Sequence, residues 1–300
     1  MGVIVYYHYN CNDGWCAAYI LKKKFPEAEL VSVYYDTDDS IYIEKAKNKL
    51  VYIVDYCFSV GTTKAICEVA VNVVVADHHK GAADKIYDII ALGCNNIKVI
   101  FDDSNEWSGA SLAFREAFPN EEEPWWVSYT AANDTGRWFA LPELFTHMSY
   151  MTSFRREELE WDRMIELYDS NREKALSQGE ACSRSYNIDI EEIVKAGTLI
   201  EFEGITTVAA SCAPKGKATG VANKIASVYG LGIAYTIMNK NGAPSIEISL
   251  RARKDSDINC ITLAEKYGGS GHQKAAGIPT SLYNGLRLLG LIHENSKVNI

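Results

Sequence analysis

The chain has 300 residues, of which 47% are apolar, and a formal net charge of −9 at pH 7. This length allows two domains of ordinary size, and the apolar fraction excludes wholesale disorder. The negative charge argues against a broad basic surface for long duplex DNA, because such binding needs cations that neutralise phosphates. A local cationic pocket or a bound metal could still hold a short phosphorylated substrate.

The eight cysteines are scattered and include no Cys-x-x-Cys pair, which argues against a zinc knuckle. Scattered thiols of this kind are typical of a reducing compartment, so we expect a cytoplasmic protein. Residues 1–7 carry no positive charge and are interpreted as a strand rather than a signal peptide. No apolar run approaches the ~20 residues that span a bilayer, so no membrane partner is expected.

Predicted strands and helices alternate through the first half of the chain. Apolar runs rich in Val, Ile and Tyr predict buried strands at residues 3–7, 30–35, 51–54, 73–76 and 97–101. Helices are expected at residues 15–25, 41–50, 62–69 and 108–118, with Ser108 as the N-cap of the last. This alternation predicts βαβ units and a parallel sheet.

Polar side chains follow three of these strands. His8 and Asp13 follow the first strand, Asp55 the third, and the triplet Asp77-His78-His79 the fourth. Because ligands bind outside the carboxyl ends of strands in open α/β sheets, we expect these groups to converge. A mixed imidazole and carboxylate site suits manganese, iron, cobalt or zinc better than calcium. The alternatives are that Asp55 caps a turn, that Asp13 caps the first helix, and that the histidines lie in an exposed turn.

Residues 124–151 are predicted to be helical and are rich in aromatic side chains. Within them Asp134 could cap a helix or supply a further ligand, and the pattern leaves both open. Trp125, Trp126 and Trp138 could stack on bases, but packing in the core or between domains is favoured. Residues 154–195 are predicted to form a polar helical linker whose charges mostly face solvent.

The last third of the chain predicts a smaller α/β domain. Strands are expected at residues 198–202, 205–210, 231–238 and 245–251, and helices at 221–229 and 258–267. Residues 239–242 are a strong turn signal. Glycines in segment 268–277 would let backbone N–H groups approach a phosphate, although a plain turn is the common alternative. Arg251 and Arg253 end a strand, and guanidinium groups match phosphate oxygens.

These segments resemble the DHH phosphoesterase superfamily, in the branch with a C-terminal DHHA1 domain. Asp77-His78-His79 matches the third motif, Asp55 the second, and residues 134–136 resemble the fourth. Segment 268–277, preceded by residues 249–251, resembles the DHHA1 signature. The resemblance covers nearly the whole chain. It implies an α/β fold with a parallel-sheet DHH domain at 1–153, a helical linker at 154–195 and a smaller α/β DHHA1 domain at 196–300.

The resemblance also implies two divalent ions, usually Mn²⁺, with Mg²⁺ or Co²⁺ as substitutes, between the domains. His8, Asp13 and Asp55 would hold them, with Asp55 bridging, and His78 and Asp134 would complete the second ion. The physical logic agrees, because two metals lower the pKa of a bridging water and neutralise phosphoryl oxygens.

Further roles follow for the substrate. His79 would contact the substrate phosphate, and Asp77 would orient a histidine. The residues expected to bind the substrate in the C-terminal domain are Arg251, Gly269, Gly271 and His272. One departure stands out, because the family's first motif commonly holds two acids two residues apart and this chain has only Asp13. Asn10 could substitute through its amide oxygen, or one ion could bind more weakly.

The expected function is a metal-dependent phosphodiesterase that hydrolyses short oligonucleotides or small nucleotides. One alternative is a phosphatase or exopolyphosphatase acting on 3′-phosphoadenosine 5′-phosphate (pAp) or polyphosphate. Another is a catalytically weak nucleotide-binding module. Two bound Mn²⁺ per chain would favour an enzyme, and one or none would favour the binding module. The oligomeric state is left open, with a homodimer among the options.

Overall fold

The computed structural model describes residues 2–33, 38–137, 139–213, 215–240 and 242–292. Some predicted features lie outside the described residues: the strand start at residue 1, the strand end at 34–35, Trp138, and residue 241 of the predicted turn. The chain divides into two compact units, Met1–Ser183 and Arg184–Ile300, and the division falls inside the predicted linker. Within the described residues, no helix combines the length and apolarity needed to cross a membrane.

The first unit contains a five-stranded parallel sheet with the order β2-β1-β3-β4-β5. Its strands are β1 (Gly2–His8), β2 (Glu29–Val33), β3 (Lys49–Val54), β4 (Asn72–Asp77) and β5 (Ile97–Phe101). Its helices are α1 (Asn12–Lys24), α2 (Ser40–Ala46), α3 (Val60–Val69), α4 (Ala83–Ala91), α5 (Gly109–Ala117), α6 (Trp125–Asp134), α7 (Leu144–Thr152) and α8 (Glu158–Ser170). This order places the topological switch point, where such sheets bind ligands, between β1 and β3.

The sheet of the first unit is buried on both faces. In β4, Val73 and Val75 pack in the core cluster that includes residues of α2, α3 and α4. Val74 and Ala76 pack in the opposite cluster, which includes residues of α1, α5, α6, α7 and α8. A strand buried on both faces has no polar alternation, which explains the continuous apolar runs in the sequence. The predicted parallel sheet is confirmed.

Helix ends differ from the predicted ones. α2 ends at Ala46 rather than at residue 50, because Lys49 already pairs with β1 at the start of β3. α4 is an additional helix that was not predicted. The predicted cap of α5 is confirmed, since the Ser108 hydroxyl accepts a hydrogen bond from the Ser111 N–H.

The predicted linker contains two helices, α8 and α9 (Arg172–Lys195). α8 buries Trp161, Met164 and Tyr168 in the core of the first unit. Trp125 stacks on Tyr168 with ring centroids 3.8 Å apart, and Trp126 is buried in the same cluster. The packing interpretation is therefore confirmed for these two tryptophans.

The second unit contains a six-stranded mixed sheet with the order β10-β11-β9-β8-β7-β6. Its strands are β6 (Thr198–Phe202), β7 (Ile205–Ser211), β8 (Leu231–Lys240), β9 (Ala243–Ala252), β10 (Ser270–His272) and β11 (Ala275–Ser281). Its remaining helices are α10 (Ala218–Tyr229), α11 (Cys260–Glu265) and α12 (Leu282–Leu288). β7 and β8 are parallel, and the other strand pairs are antiparallel. The predicted fold class, a parallel-sheet α/β domain plus a smaller α/β domain, is confirmed.

The glycine-rich segment 268–277 is neither an open loop nor a plain turn. It forms the hairpin of β10 and β11. A Cβ on Gly269 would lie 2.3 Å from the Gly277 carbonyl oxygen, and one on Gly271 would lie 2.5 Å from that of Ala275. Close strand approach therefore explains these two glycines, which the sequence pattern had connected with phosphate binding.

Candidate metal centre

The candidate centre lies at the carboxyl edge of the first sheet, where β1 leads into α1. His8 is the last residue of β1, and Asp13 lies in the first turn of α1. The N-cap of α1 is Cys11, so the cap interpretation of Asp13 is wrong. The Asp13 carboxylate instead accepts hydrogen bonds from the Ser108 hydroxyl (2.6 Å) and the Ala110 N–H (3.2 Å) at the start of α5. Two elements therefore fix this carboxylate.

Asp55 follows β3 and lies at the centre of the cluster. Its Oδ2 is 3.6 Å from His8 Nδ1, and its Oδ1 is 3.2 Å from His78 Nε2. Its φ of +53° is in the left-handed region, which is uncommon for residues other than glycine and frequent at functional sites. α3 is capped by Ser59, which accepts a hydrogen bond from the Thr62 N–H. The Asp55 carboxylate itself contacts imidazoles, and among the described residues no backbone N–H donates to it, so the interpretation as a turn cap is wrong.

His78 brings further carboxylates together. Its Nε2 lies 3.2 Å from Asp134 Oδ2 and 3.8 Å from Asp13 Oδ2. The ring is buried, so the exposed-turn alternative is wrong for this histidine. Asp134 is the last residue of α6, where the helix dipole disfavours a carboxylate. Because Asp134 ends a helix, it does not cap a helix start. A positively charged His78 ring would stabilise the Asp134 carboxylate at this position.

Asp77 ends β4 and holds His79. Its Oδ1 accepts hydrogen bonds from the His78 backbone N–H (2.8 Å) and from His79 Nδ1 (2.6 Å). His79 Nδ1 is also 3.8 Å from Asp55 Oδ1, and the His79 ring lies 5.8 Å from the His8 ring. Asp77 thus fixes the orientation of an imidazole that faces the rest of the cluster.

Two groups of potential metal ligands share Asp55. In the first, ligand atoms of His8, Asp55 and His79 lie within 4.8 Å of one another, and Asp13, Asp55 and His78 form the second. Asp55 Oδ2 is buried and has no hydrogen-bond partner. Leaving such an oxygen unsatisfied is costly, and a divalent cation would satisfy it. The donor set and the shared carboxylate therefore fit a pair of divalent ions.

The electrostatics of the cluster favour positive charge. Burial raises the pKa of Asp13 well above its usual range, and the carboxylates of Asp55 and Asp134 raise it further. Burial alone would raise the pKa of Asp55, but hydrogen bonding and charge from neighbouring imidazoles, His78 first, hold it below the usual range. Burial lowers the pKa of His78, but Asp134 and Asp55 outweigh this and raise it to about 11. A metal cation bound at this carboxylate-rich site would therefore compete with a proton.

Two residues beside the centre, Gly109 and Cys11, were not among the predicted site residues. A Cβ on Gly109, at the start of α5, would lie 2.6 Å from the Asp55 Cβ and 2.8 Å from Asp13 Oδ2. The run Ser-Gly-Ala at a helix start is the sequence signal, because small residues there permit close approach. Cys11, the N-cap residue of α1, lies two residues before Asp13; burial, and then the carboxylates of Asp55, Asp13 and Asp134, raise the pKa of its thiol.

Asn10, considered as a substitute for the missing acid, has a different partner. Its Oδ1 accepts a hydrogen bond from Arg156 Nη1 (2.7 Å), and Asn12 Oδ1 accepts one from Arg156 Nε (2.9 Å). Arg156 therefore restrains the loop between His8 and Asp13 through these two hydrogen bonds. A ligand role for Asn10 would require its amide oxygen to leave the guanidinium.

The substrate-binding residues predicted for the second unit lie around one row of its sheet. His272 in β10 and Arg251 in β9 both pair in register with Ala275 of β11. Directly opposed residues point to the same face, so the two side chains lie on one surface of the sheet. Their strands are two strand spacings, about 10 Å, apart. Arg251 donates a hydrogen bond to Thr219 Oγ1 (3.0 Å). Gly271 lies in β10 beside His272, and Gly269 immediately precedes that strand.

No family model matches the chain. A curated relative, the uncharacterized protein R106 of Acanthamoeba polyphaga mimivirus, is 22% identical over 298 residues, which span 93% of this chain and 67% of that protein. A similar solved structure is the pGpG-specific phosphodiesterase PggH from Vibrio cholerae, with a TM-score of 0.50, 14% identity and 97% of each chain covered. Another is RecJ in complex with Mn²⁺ from Thermus thermophilus, with a TM-score of 0.49, 14% identity, and 95% of this chain and 50% of that chain covered.

At this identity, the match to PggH concerns the fold, and it extends over nearly the whole of both chains. The fold that the predicted resemblance implies, a parallel-sheet α/β domain followed by a smaller α/β domain, is confirmed.

Proposed function

We propose that this protein is a metal-dependent phosphodiesterase that hydrolyses short oligonucleotides or small nucleotides. The observation that carries the proposal is the pair of ligand groups that share Asp55. When bound, paired cations lower the pKa of a water and neutralise phosphoryl oxygens during in-line attack. Mixed imidazole and carboxylate donors favour Mn²⁺, with Mg²⁺ or Co²⁺ as substitutes.

The protein side chains have distinct proposed roles around these ions. His8 and Asp55 hold one ion, with His79 as a further ligand or a contact to the substrate phosphate. Asp13, His78 and Asp134 would hold the other ion, and Asp55 would contribute to both ions. Asp77 positions His79 by occupying its Nδ1, which leaves the opposite ring nitrogen directed away from Asp77.

A short substrate is supported by the charge of the chain and by the fold match. A net charge of −9 disfavours long duplexes, and PggH, which shares the fold, is specific for pGpG by name. Arg251 and His272 of the second unit are proposed to bind an anionic group of the substrate, with the backbone at Gly269 and Gly271 close by. All eight cysteines are free of disulfides, which supports a cytoplasmic protein.

A hydrolysis panel with purified protein and Mn²⁺ tests this function. The substrates are pGpG, di- to pentanucleotides of RNA and DNA, cyclic dinucleotides, pAp and polyphosphate. We expect release of nucleoside monophosphates from short linear substrates and loss of turnover in EDTA. Turnover of only pAp or polyphosphate would establish a phosphatase instead. No turnover, with one Mn²⁺ or none bound per chain, would establish a nucleotide-binding module.

A further inference from the structure

The loop between His8 and Asp13 joins two of the candidate metal ligands, one at the end of β1 and one in the first turn of α1. The chain turns back on itself here, because a Cβ on Gly14 would lie 2.7 Å from the His8 carbonyl oxygen and 3.1 Å from Asp55 Oδ2. A binding site needs its side chains held within about 0.5 Å of the productive geometry. The conformation of this loop therefore bears directly on where the two ligands lie.

Arg156 bridges the two asparagines of this loop. Its Nη1 donates to Asn10 Oδ1 (2.7 Å), and its Nε donates to Asn12 Oδ1 (2.9 Å). A guanidinium is planar and its donors form a rigid fork, so the two bonds together fix the position of one amide relative to the other. Asn10 has a φ of +55°, a left-handed conformation that asparagine tolerates better than most residues. The fork thus holds the loop at the residue where its backbone is least ordinary.

The segment that carries Arg156 is itself fixed on α1. Arg156 lies two residues before α8, and α8 places Trp161 against Trp15 and Tyr19 of α1, with ring centroids 6.2 and 5.3 Å apart. The Tyr19 hydroxyl also donates a hydrogen bond to Asp162 of α8. One segment of the chain therefore contacts both the body of α1 and the loop that precedes it, so Arg156 can restrain the loop relative to the helix.

We propose that Arg156 is a positioning residue for the metal centre, which acts through Asn10 and Asn12 to place His8 and Asp13 for the ions. The inference rests on the proposed function and extends it, because it makes metal affinity depend on a residue that touches no ion. Both amide oxygens serve the guanidinium, so Asn10 is an anchor of the loop and not a substitute for the missing acid. An effect through charge alone would have the opposite sign, because a guanidinium repels a divalent cation.

Calorimetric titration of the substrate-free protein with Mn²⁺ tests the inference. Arg156→Ala should weaken Mn²⁺ binding ~3–10-fold, which is less than the 10–100-fold typical of residues that bond a metal ligand directly. If Arg156 acts only through its charge, this variant should instead bind Mn²⁺ more tightly. Arg155→Ala is the matched control, because it removes an equal charge from a side chain that is 81% exposed and should leave Mn²⁺ affinity at the parental value.

A double-mutant cycle separates positioning from a general loss of stability. Arg156→Ala and Asn12→Ala remove the same hydrogen bond, so Asn12→Ala should weaken Mn²⁺ binding in the parent but add little in Arg156→Ala. Arg156→Lys keeps a donor and should recover part of the lost affinity. Parental or tighter Mn²⁺ binding by Arg156→Ala, or additive effects in the cycle, would overturn the inference.

Failure of the proposed function gives a different result. A parental protein that binds Mn²⁺ but turns over no substrate would contradict the phosphodiesterase, while the differences in Mn²⁺ affinity among the variants would still support the role of Arg156. A parental protein that binds no Mn²⁺ would overturn both.

Discussion

The carboxyl edge of the first sheet and the Arg251 face of the second sheet present opposite charges in different settings. At the first edge, Asp13, Asp55 and Asp77 are each only 1% exposed. On the second face, His272 is exposed and Arg251 is partly buried against the neutral Thr219. The first region suits a desolvated cation, and the second suits an anionic group that arrives from solvent.

Strand direction explains why local patterns alone predicted that residues of the first region lie together, whereas the arrangement of the second region depends on strand register. In the parallel sheet every strand ends at the same edge, so polar residues after β1, β3 and β4 must come together. In the antiparallel part of the second sheet, successive strands end at opposite edges, and only register brings Arg251 and His272 onto one face. Variants in the two regions should therefore affect metal binding and substrate binding separately.

The largest expected effect comes from Asp55→Asn. Asparagine tolerates the positive φ at this position, but it removes the carboxylate common to both ligand groups. We expect Mn²⁺ affinity to fall by at least ~100-fold, since even outer partners of metal ligands contribute 10–100-fold. Calorimetric titration with Mn²⁺ measures this, with the exposed Asp84→Asn on α4 as the control. If Asp55→Asn binds Mn²⁺ as tightly as the parent protein, the Asp55 carboxylate is not a metal ligand.

Gly109→Ala tests the packing behind the same carboxylates. The new Cβ would lie 2.6 Å from the Asp55 Cβ, so α5 or Asp55 must move. We expect a destabilisation of ~1–3 kcal/mol together with weaker Mn²⁺ binding. Urea unfolding and Mn²⁺ titration measure the two effects. Gly81→Ala is the matched control, because a Cβ there meets nothing within 4 Å. Equal behaviour of the two variants would contradict this close approach.

Arg251→Ala tests the second region. Removing a hydrogen bond to an anionic group should raise KM roughly 10-fold with a smaller change in kcat, and Mn²⁺ affinity should be unchanged. Steady-state kinetics on the best substrate of the hydrolysis panel measure the split. Lys224→Ala, on the exposed side of α10, removes an equal charge and serves as the control. An unchanged KM would place Arg251 outside the substrate site.

The smallest effect concerns His147, a buried histidine of α7 that contrasts with His78. Its Nδ1 donates to the Glu143 carbonyl (2.9 Å), and its Nε2 accepts from the Tyr168 hydroxyl (2.8 Å). Burial lowers its pKa, so the folded protein favours the neutral ring while the unfolded chain takes up a proton below about pH 6.5. Stability from this residue is therefore present above that pH and is lost as the pH falls toward the folded pKa.

His147→Gln keeps a donor and an acceptor but does not titrate. We expect its Tm to fall less steeply than the parental Tm between about pH 7 and about pH 5. Thermal unfolding followed by circular dichroism at several pH values measures the slopes. Parallel slopes for parent and variant would show that His147 does not contribute to the acid sensitivity of the fold.

The amino-acid sequence by itself determined the parallel sheet, the strand ends that carry His8, Asp55 and His78, and the α/β character of both units. It did so because apolar runs and their polar termini are local patterns. Only the tertiary structure decided that α5 fixes Asp13, that Arg156 engages Asn10, and that the glycines of segment 268–277 form a hairpin. Those outcomes depend on contacts between residues distant in sequence or on strand register, and neither leaves a periodic pattern in the chain.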